Sequence, residues 1–304
     1  MLANTPSHQN PAPTTGSKPI KFILAGFAFA ILWSSASVAT KIGLQSAQPF
    51  VIAVARFLIA GFIMLFITHI IRGNRLPQKK EWLQLSIYGL LNVSIYLGLY
   101  IIAMQNISAG LGSLAVAVNP VFIALIATVW LAQKIRFQNV LSLALCFAGV
   151  MLAAYPLLKN SYATPGGILL LLVSMVAYSV GTVYYARVTW YGLPILTING
   201  WQTIIGGVFL LPILGITYQH DKNLFDAKYW QSVLWLAIPV SIGAVLLWLY
   251  LIKQNAVKAS YWLFLCPIFG FAMARFMMNE PVNLFTAAGV LLVLAGLYIV
   301  QRFK

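Results

Sequence analysis

Tyr88, Asn92, Tyr96 and Tyr100 recur at intervals of four residues, a spacing that stacks them along one side of a helix over about 18 Å at 1.5 Å per residue. Inside an apolar segment such a row has two uses. It can hydrogen-bond a neighbouring helix, or it can form the wall of a cavity where hydroxyls, an amide and ring faces contact a small amphipathic solute. A row of this length points to the cavity. Shorter rows with similar spacing join Trp33 to Ser37, and Ser174 to Tyr178 and Thr182. Trp201 and Trp248 are further candidates for stacking on a ring-bearing solute, with interfacial anchoring as the alternative for a Trp near the end of a span. Asn119, beside Pro120, is the remaining polar candidate.

Charge is scarce where these residues lie. The chain holds four acidic residues among 304. Asp221 and Asp226 share a loop with His220, Glu81 stands in a basic connection, and Glu280 remains. Proton coupling requires a group that titrates within the membrane. None stands mid-span, so movement of a solute without obligatory proton coupling is the expectation, and a proton-coupled antiporter using Glu280 is the alternative. Arg56 lies about 9 Å inside its apolar segment, where an unpaired cation costs about 2.5 kcal/mol or more. It is expected to pair with Glu280 or to receive a substrate carboxylate. Arg275 stands nearer a helix end, from which it can snorkel; it is roughly 140° around the helix from Glu280 and a poor partner for it. Paired carboxylates, a His cluster and a Cys beside a base are all missing from the spans, which argues against an enzyme and implies no metal and no cofactor. Cys146 and Cys266 read as small apolar residues.

The elements that must position these side chains follow from composition. A chain that is 61% hydrophobic and 8% charged cannot present an ordinary water-facing surface. Apolar runs of about 20 residues, enough for a helix to cross a bilayer, begin near Ile20, Phe50, Trp82, Ser108, Phe137, Gly166, Pro194, Gln231, Ala259 and Asn283. The expected fold is all-α, with ten transmembrane helices. Residues 1–17 are rich in Pro, Ser, Thr and Asn and read as a disordered cytoplasmic tail; the first apolar run is of full spanning length, unlike a signal peptide. With the N-terminus inside, thirteen Lys and Arg fall in cytoplasmic segments and four in outer loops. That asymmetry places both termini in the cytoplasm, locates the chain in the cytoplasmic membrane, and explains the net charge of +15 as topology, not nucleic-acid binding.

The second half repeats the first. Pro49 and Gly61 recur as Pro194 and Gly206, 145 residues on, and Pro120, Gln133 and Gly149 recur as Pro267, Glu280 and Gly296, 147 residues on. Trp33 and Tyr178 are mates in the same register. The division is residues 18–160 and 161–304, five spans each, and an odd number of spans inverts the second copy in the membrane, the arrangement many secondary transporters use for alternating access. Kinks at Pro120 and Pro267 are expected to act in gating. Small residues Ser142 and Gly149, matched by Gly289 and Gly296, mark faces on the last helix of each repeat that pack closely.

The stretches "ILWSSASVATKIGL", "PFVIAVARFLIAG", "AMQNISAGLGSLAVAVNPVFIAL" and "MMNEPVNLFTAAGVLLVLAG" together resemble the ten-helix EamA-type members of the drug/metabolite transporter superfamily, across residues 20–302. The resemblance implies export or exchange of a small metabolite, often an amino acid or a toxic analogue, through a cavity between the halves. One departure stands out. Members commonly carry a Gly-Glu step after the fourth helix, and here it reads Ala132-Gln133, so the acid survives only as Glu280. The expected partners are a small-molecule substrate and the lipid bilayer, with the chain acting as a monomer; a channel or another non-transport role is the remaining alternative.

Overall fold

A computed structural model describes residues 19–130, 137–251 and 261–302. All regular structure among them is helical. Eight helices are long and apolar enough to span a bilayer: α1 Ile20–Gly43, α2 Pro49–Ile71, α3 Lys80–Gln105, α4 Ala109–Trp130, α5 Phe137–Lys159, α6 Pro165–Arg187, α7 Ile195–Thr217 and α8 Ala227–Leu251. Two shorter apolar helices follow, α9 Trp262–Met278 and α10 Leu284–Ile299. Among the described residues, the ten apolar runs of the sequence thus correspond to ten helices, displaced by a few residues at their ends. Only 33% to 50% of the spanning windows in α1–α8 is buried, and Leu24, Phe62, Ile216 and Leu284 point outward from the bundle. Apolar outer faces of this kind need lipid, not water, around them. The tail 1–17 and the Ala132-Gln133 step lie outside the described residues.

Packing follows the duplication. Helix α1 packs on α8 and α9, and its mate α6 packs on α3 and α4, while α2 meets α7, α4 meets α9 and α5 meets α10. Exchanging the two repeats turns these contacts into one another, which is what a two-fold relation between inverted copies requires. The α5–α10 contact rests on the small residues. A Cβ on Gly149 would come within 2.6 Å of the Gly289 carbonyl oxygen, and one on Gly296 within 2.8 Å of the Ser142 oxygen. Backbones this close exclude any larger side chain and gain dispersion contacts along the whole seam.

Three of the departures from regular α geometry shape the interior, and a further π-helical stretch, Phe66–Ile71, ends α2. Helices α3 and α8 each contain a π-helical stretch, Leu90–Ile95 and Leu236–Ala244, at corresponding positions in the two repeats. Pro239 lies inside the second stretch and lacks the N–H a regular turn would use. The third departure corrects an expectation. Pro120 does not kink a continuous helix: α4 breaks at Ala117–Val118 and restarts at Asn119, so Pro120 occupies the first turn, where its missing N–H costs nothing. Pro267 is alike, third in the α-helical segment Leu265–Met278 after a 3-10 turn at Tyr261–Phe264.

Candidate functional site

The row on α3 faces the middle of the bundle. Its four members line a cavity of about 340 Å³ that also takes Trp33, Ser37 and Ser113 from α1 and α4, Arg56 and Phe57 from α2, Tyr178, Thr182 and Tyr185 from α6, Asn199, Gln202 and Thr203 from α7, and Ser241 and Trp248 from α8. The π-helical stretches matter here, because a widened turn changes which residues share a face: one carries Asn92 and the other Ser241.

Aromatic rings form most of the wall. Tyr96 lies 4.8 Å from Tyr178 and 6.1 Å from Tyr100 between ring centroids, Tyr88 lies 5.1 Å from Tyr185, and Trp248 stacks on Phe29 at 4.9 Å. The Tyr100 hydroxyl donates to Ser37 Oγ at 3.1 Å. Amides supply a second polar feature. Asn92 Nδ2 donates to Gln202 Oε1 at 3.2 Å, and Gln202 Nε2 donates to Asn199 Oδ1 at 3.1 Å. Asn92 Oδ1 is buried and has no protein partner among the described residues, which leaves one strong acceptor of the wall unsatisfied.

Among the described residues, the cavity has one formal charge. Arg56 Nε donates to Ser241 Oγ at 3.0 Å, and its guanidinium lies 5.4 Å from the Phe57 ring centroid. No carboxylate lines the cavity. The expected pairing of Arg56 with Glu280 does not form, because Glu280 is engaged elsewhere. Helix α9 ends at Asn279 in the left-handed conformation, φ 53°, which Asn tolerates. The turn sends the next side chain across to the start of α4. There Glu280 Oε1 accepts from Ala109 N–H at 2.6 Å and Oε2 from Gly110 N–H at 3.1 Å, while Ser108 Oγ accepts from Leu111 N–H at 3.1 Å. Three N–H groups that a helix start leaves free are thereby satisfied. Lys41, in the last turn of α1, donates to the Met104 carbonyl at 3.0 Å, tying α1 to the end of α3 on the same side of the bundle. The ion pair among the described residues is Arg75 with Glu81, 2.6 Å.

Other expected site residues lie away from the cavity. Ser174 Oγ donates back to Leu171 O at 2.6 Å on its own helix. Trp201 donates from Nε1 to His69 Nε2 at 3.0 Å and packs edge-on against Trp82, which makes it part of a cluster at the end of α2. Asn119 is buried in the α4 break with Oδ1 lacking a protein partner. Arg275 is exposed on the last turn of α9. Pro120 and Pro267 are at helix restarts outside the cavity wall. Sequence spacing missed Tyr185, Asn199, Gln202 and Ser241. Asn199 and Gln202 are three apart on α7 and could have been found by the rule that found the α3 row.

No group of three or more His, Cys, Asp or Glu side chains converges among the described residues. The chain is similar along most of its length to proteins named as uncharacterized transporters. An uncharacterized transporter of Archaeoglobus fulgidus is 30% identical over 274 residues, covering 89% of this chain and 95% of that protein. The uncharacterized inner membrane transporter YedA of Escherichia coli is 28% identical over 239 residues, 77% of this chain and 76% of its own. A chloroplastic WAT1-related protein of Arabidopsis thaliana is 27% identical over 279 residues, 88% of this chain and 66% of its own. A solved crystal structure shares the fold with a TM-score of 0.65 at 17% identity, covering 92% of this chain and 96% of that one. The EamA-like transporter family matches residues 20–155 and 165–302, one stretch for each repeat. The protein is a multi-pass membrane transporter of the EamA-like family.

Proposed function

We propose that this transporter is a secondary carrier of the cytoplasmic membrane that exports or exchanges a small amino-acid-like or aromatic metabolite by alternating access, with no obligatory proton coupling. The observation that carries the reading is the central cavity: among the described residues it has aromatic walls, three amides and one cation, with no carboxylate or imidazole to hold a coupling proton. Residues 18–160 and 161–304 act as the two repeats, and both termini face the cytoplasm, where thirteen of the cations then fall. On the opposite side, Glu280 bound to the start of α4 and Lys41 bound to Met104 hold the cavity closed. Release of these ties accompanies opening to the outside, and the two helix restarts at Pro120 and Pro267 are the points about which α4 and α9 bend.

The test uses purified protein in proteoliposomes loaded with a metabolite extract. Saturable exchange of particular solutes, followed by mass spectrometry, is the expected result; a flux that rises linearly with concentration would instead mark a channel. An imposed pH gradient is expected to drive no uphill accumulation. Gradient-driven accumulation abolished by Glu280→Gln would replace this reading with the proton antiporter.

A further inference from the structure

We infer that the solute is an organic anion: a compact apolar or aromatic body with a carboxylate-type group held by Arg56 and a hydroxyl or N–H directed at Asn92 Oδ1. The inference rests on the carrier reading for its location and deepens it.

Arg56 brings a permanent cation into the cavity, and the four acidic side chains of the chain leave it without a counter-charge. Glu280 caps α4, Glu81 is paired with Arg75 at 2.6 Å, Asp226 caps the start of α8, and Asp221 lies in the α7–α8 connection. Only the Nε–H of Arg56 is taken, by Ser241, so the fork of terminal N–H groups makes no hydrogen bond among the described residues. That fork suits a carboxylate, which accepts two parallel bonds. A cationic solute meets the opposite situation, since nothing in the wall offsets its charge and Arg56 repels it.

Asn92 supplies the second recognition element. Its Nδ2 is committed to Gln202, which fixes the amide so that Oδ1 presents only an acceptor. A solute lacking a donor leaves that buried oxygen unpaired, and sites of this kind reject such analogues strongly. The same cavity is lined by the contacting rings of Tyr96, Tyr100 and Tyr178, which suit a flat apolar body.

The experiment measures equilibrium binding to the purified full-length protein with four solutes of similar shape: 4-hydroxyphenylacetate, phenylacetate, the neutral 4-hydroxyphenylethanol and the cationic tyramine. The expected order places 4-hydroxyphenylacetate first, with about a tenfold or greater loss when its charge is removed or reversed, and a smaller loss for phenylacetate. Arg56→Gln is expected to abolish the preference for the anion and leave 4-hydroxyphenylethanol unchanged, Arg56→Lys to keep part of it, and Asn92→Leu to erase the difference between the two acids. Equal or tighter binding of the neutral or cationic probe, an anion preference that survives Arg56→Gln, or no binding of any of the four overturns the assignment. The wild-type series decides the charge class even if a variant fails to fold. Because binding is read without transport, failure here leaves the carrier reading to the proteoliposome exchange, and failure of exchange leaves this result intact.

Discussion

Glu280→Gln is the perturbation that best separates a structural from a coupling role for the surviving acid. In the folded protein the carboxylate is 4% exposed and accepts from the amides of Ala109 and Gly110 at 2.6 and 3.1 Å. Glutamine keeps one acceptor oxygen and turns a donor toward the second amide, so one buried N–H loses its partner. An unpaired buried donor costs about 1–3 kcal/mol, and loss of the negative charge at a helix start adds roughly 0.3–2 kcal/mol. These overlap, so the expected destabilisation is about 2–4 kcal/mol. At about 2–4 °C per kcal/mol for chains somewhat smaller than this one, the thermal midpoint in detergent falls by several degrees. Fluorescence-detected size-exclusion chromatography after stepwise heating reads the shift. Glu280→Asp, which keeps the charge but is one carbon shorter, is expected between the two. A Glu280→Gln protein that melts with the wild type would refute the capping account and return Glu280 to the list of coupling candidates.

Gly149→Leu forces a branched side chain against the α10 backbone and is expected to lose about 1–3 kcal/mol or more, read as lower yield of monodisperse protein; a normal melting curve would mean that the α5–α10 seam is looser than its spacing implies. Tyr100→Phe removes the bond to Ser37 and is expected to cost about 0.5–1.5 kcal/mol in the same melting assay. Gln78→Cys and Asp221→Cys test the topology: an impermeant maleimide is expected to label position 221 in intact cells and position 78 only after permeabilisation, with little background because Cys146 and Cys266 are buried. Labelling in the reverse order would invert the whole bundle.

The spans were legible because apolar length is the membrane's main demand on sequence, and the duplication because Pro49, Gly61 and Pro120 keep their distance from Pro194, Gly206 and Pro267. The α3 row was legible for a similar reason: four polar residues at one spacing in an apolar segment leave few places to face, and the structure puts all four on one cavity wall. What escaped depends on partners remote in the chain. Glu280 binds backbone amides 170 and 171 residues away, and an amide carries no sequence signal because every residue but proline has one. Trp201 was read as a stacking candidate, but its partner His69 lies 132 residues away on another helix. The restart of α4 at Asn119 was hidden because Pro120 is compatible with a kink and with a first turn alike.

The widened turns of α3 bear on the geometry of the row that runs through them. In a regular α-helix, positions four apart fall about 40° out of line at each step, so Tyr88 and Tyr100 would look toward different neighbours. The π-helical stretch Leu90–Ile95 lies between them and, with more residues per turn, takes back part of that drift. The four-residue spacing is therefore a ruler cut for an unevenly wound helix. A substitution far from the cavity that let this stretch relax to ordinary winding would swing Tyr96 and Tyr100 around the axis and reshape the chamber without altering a single residue of its wall.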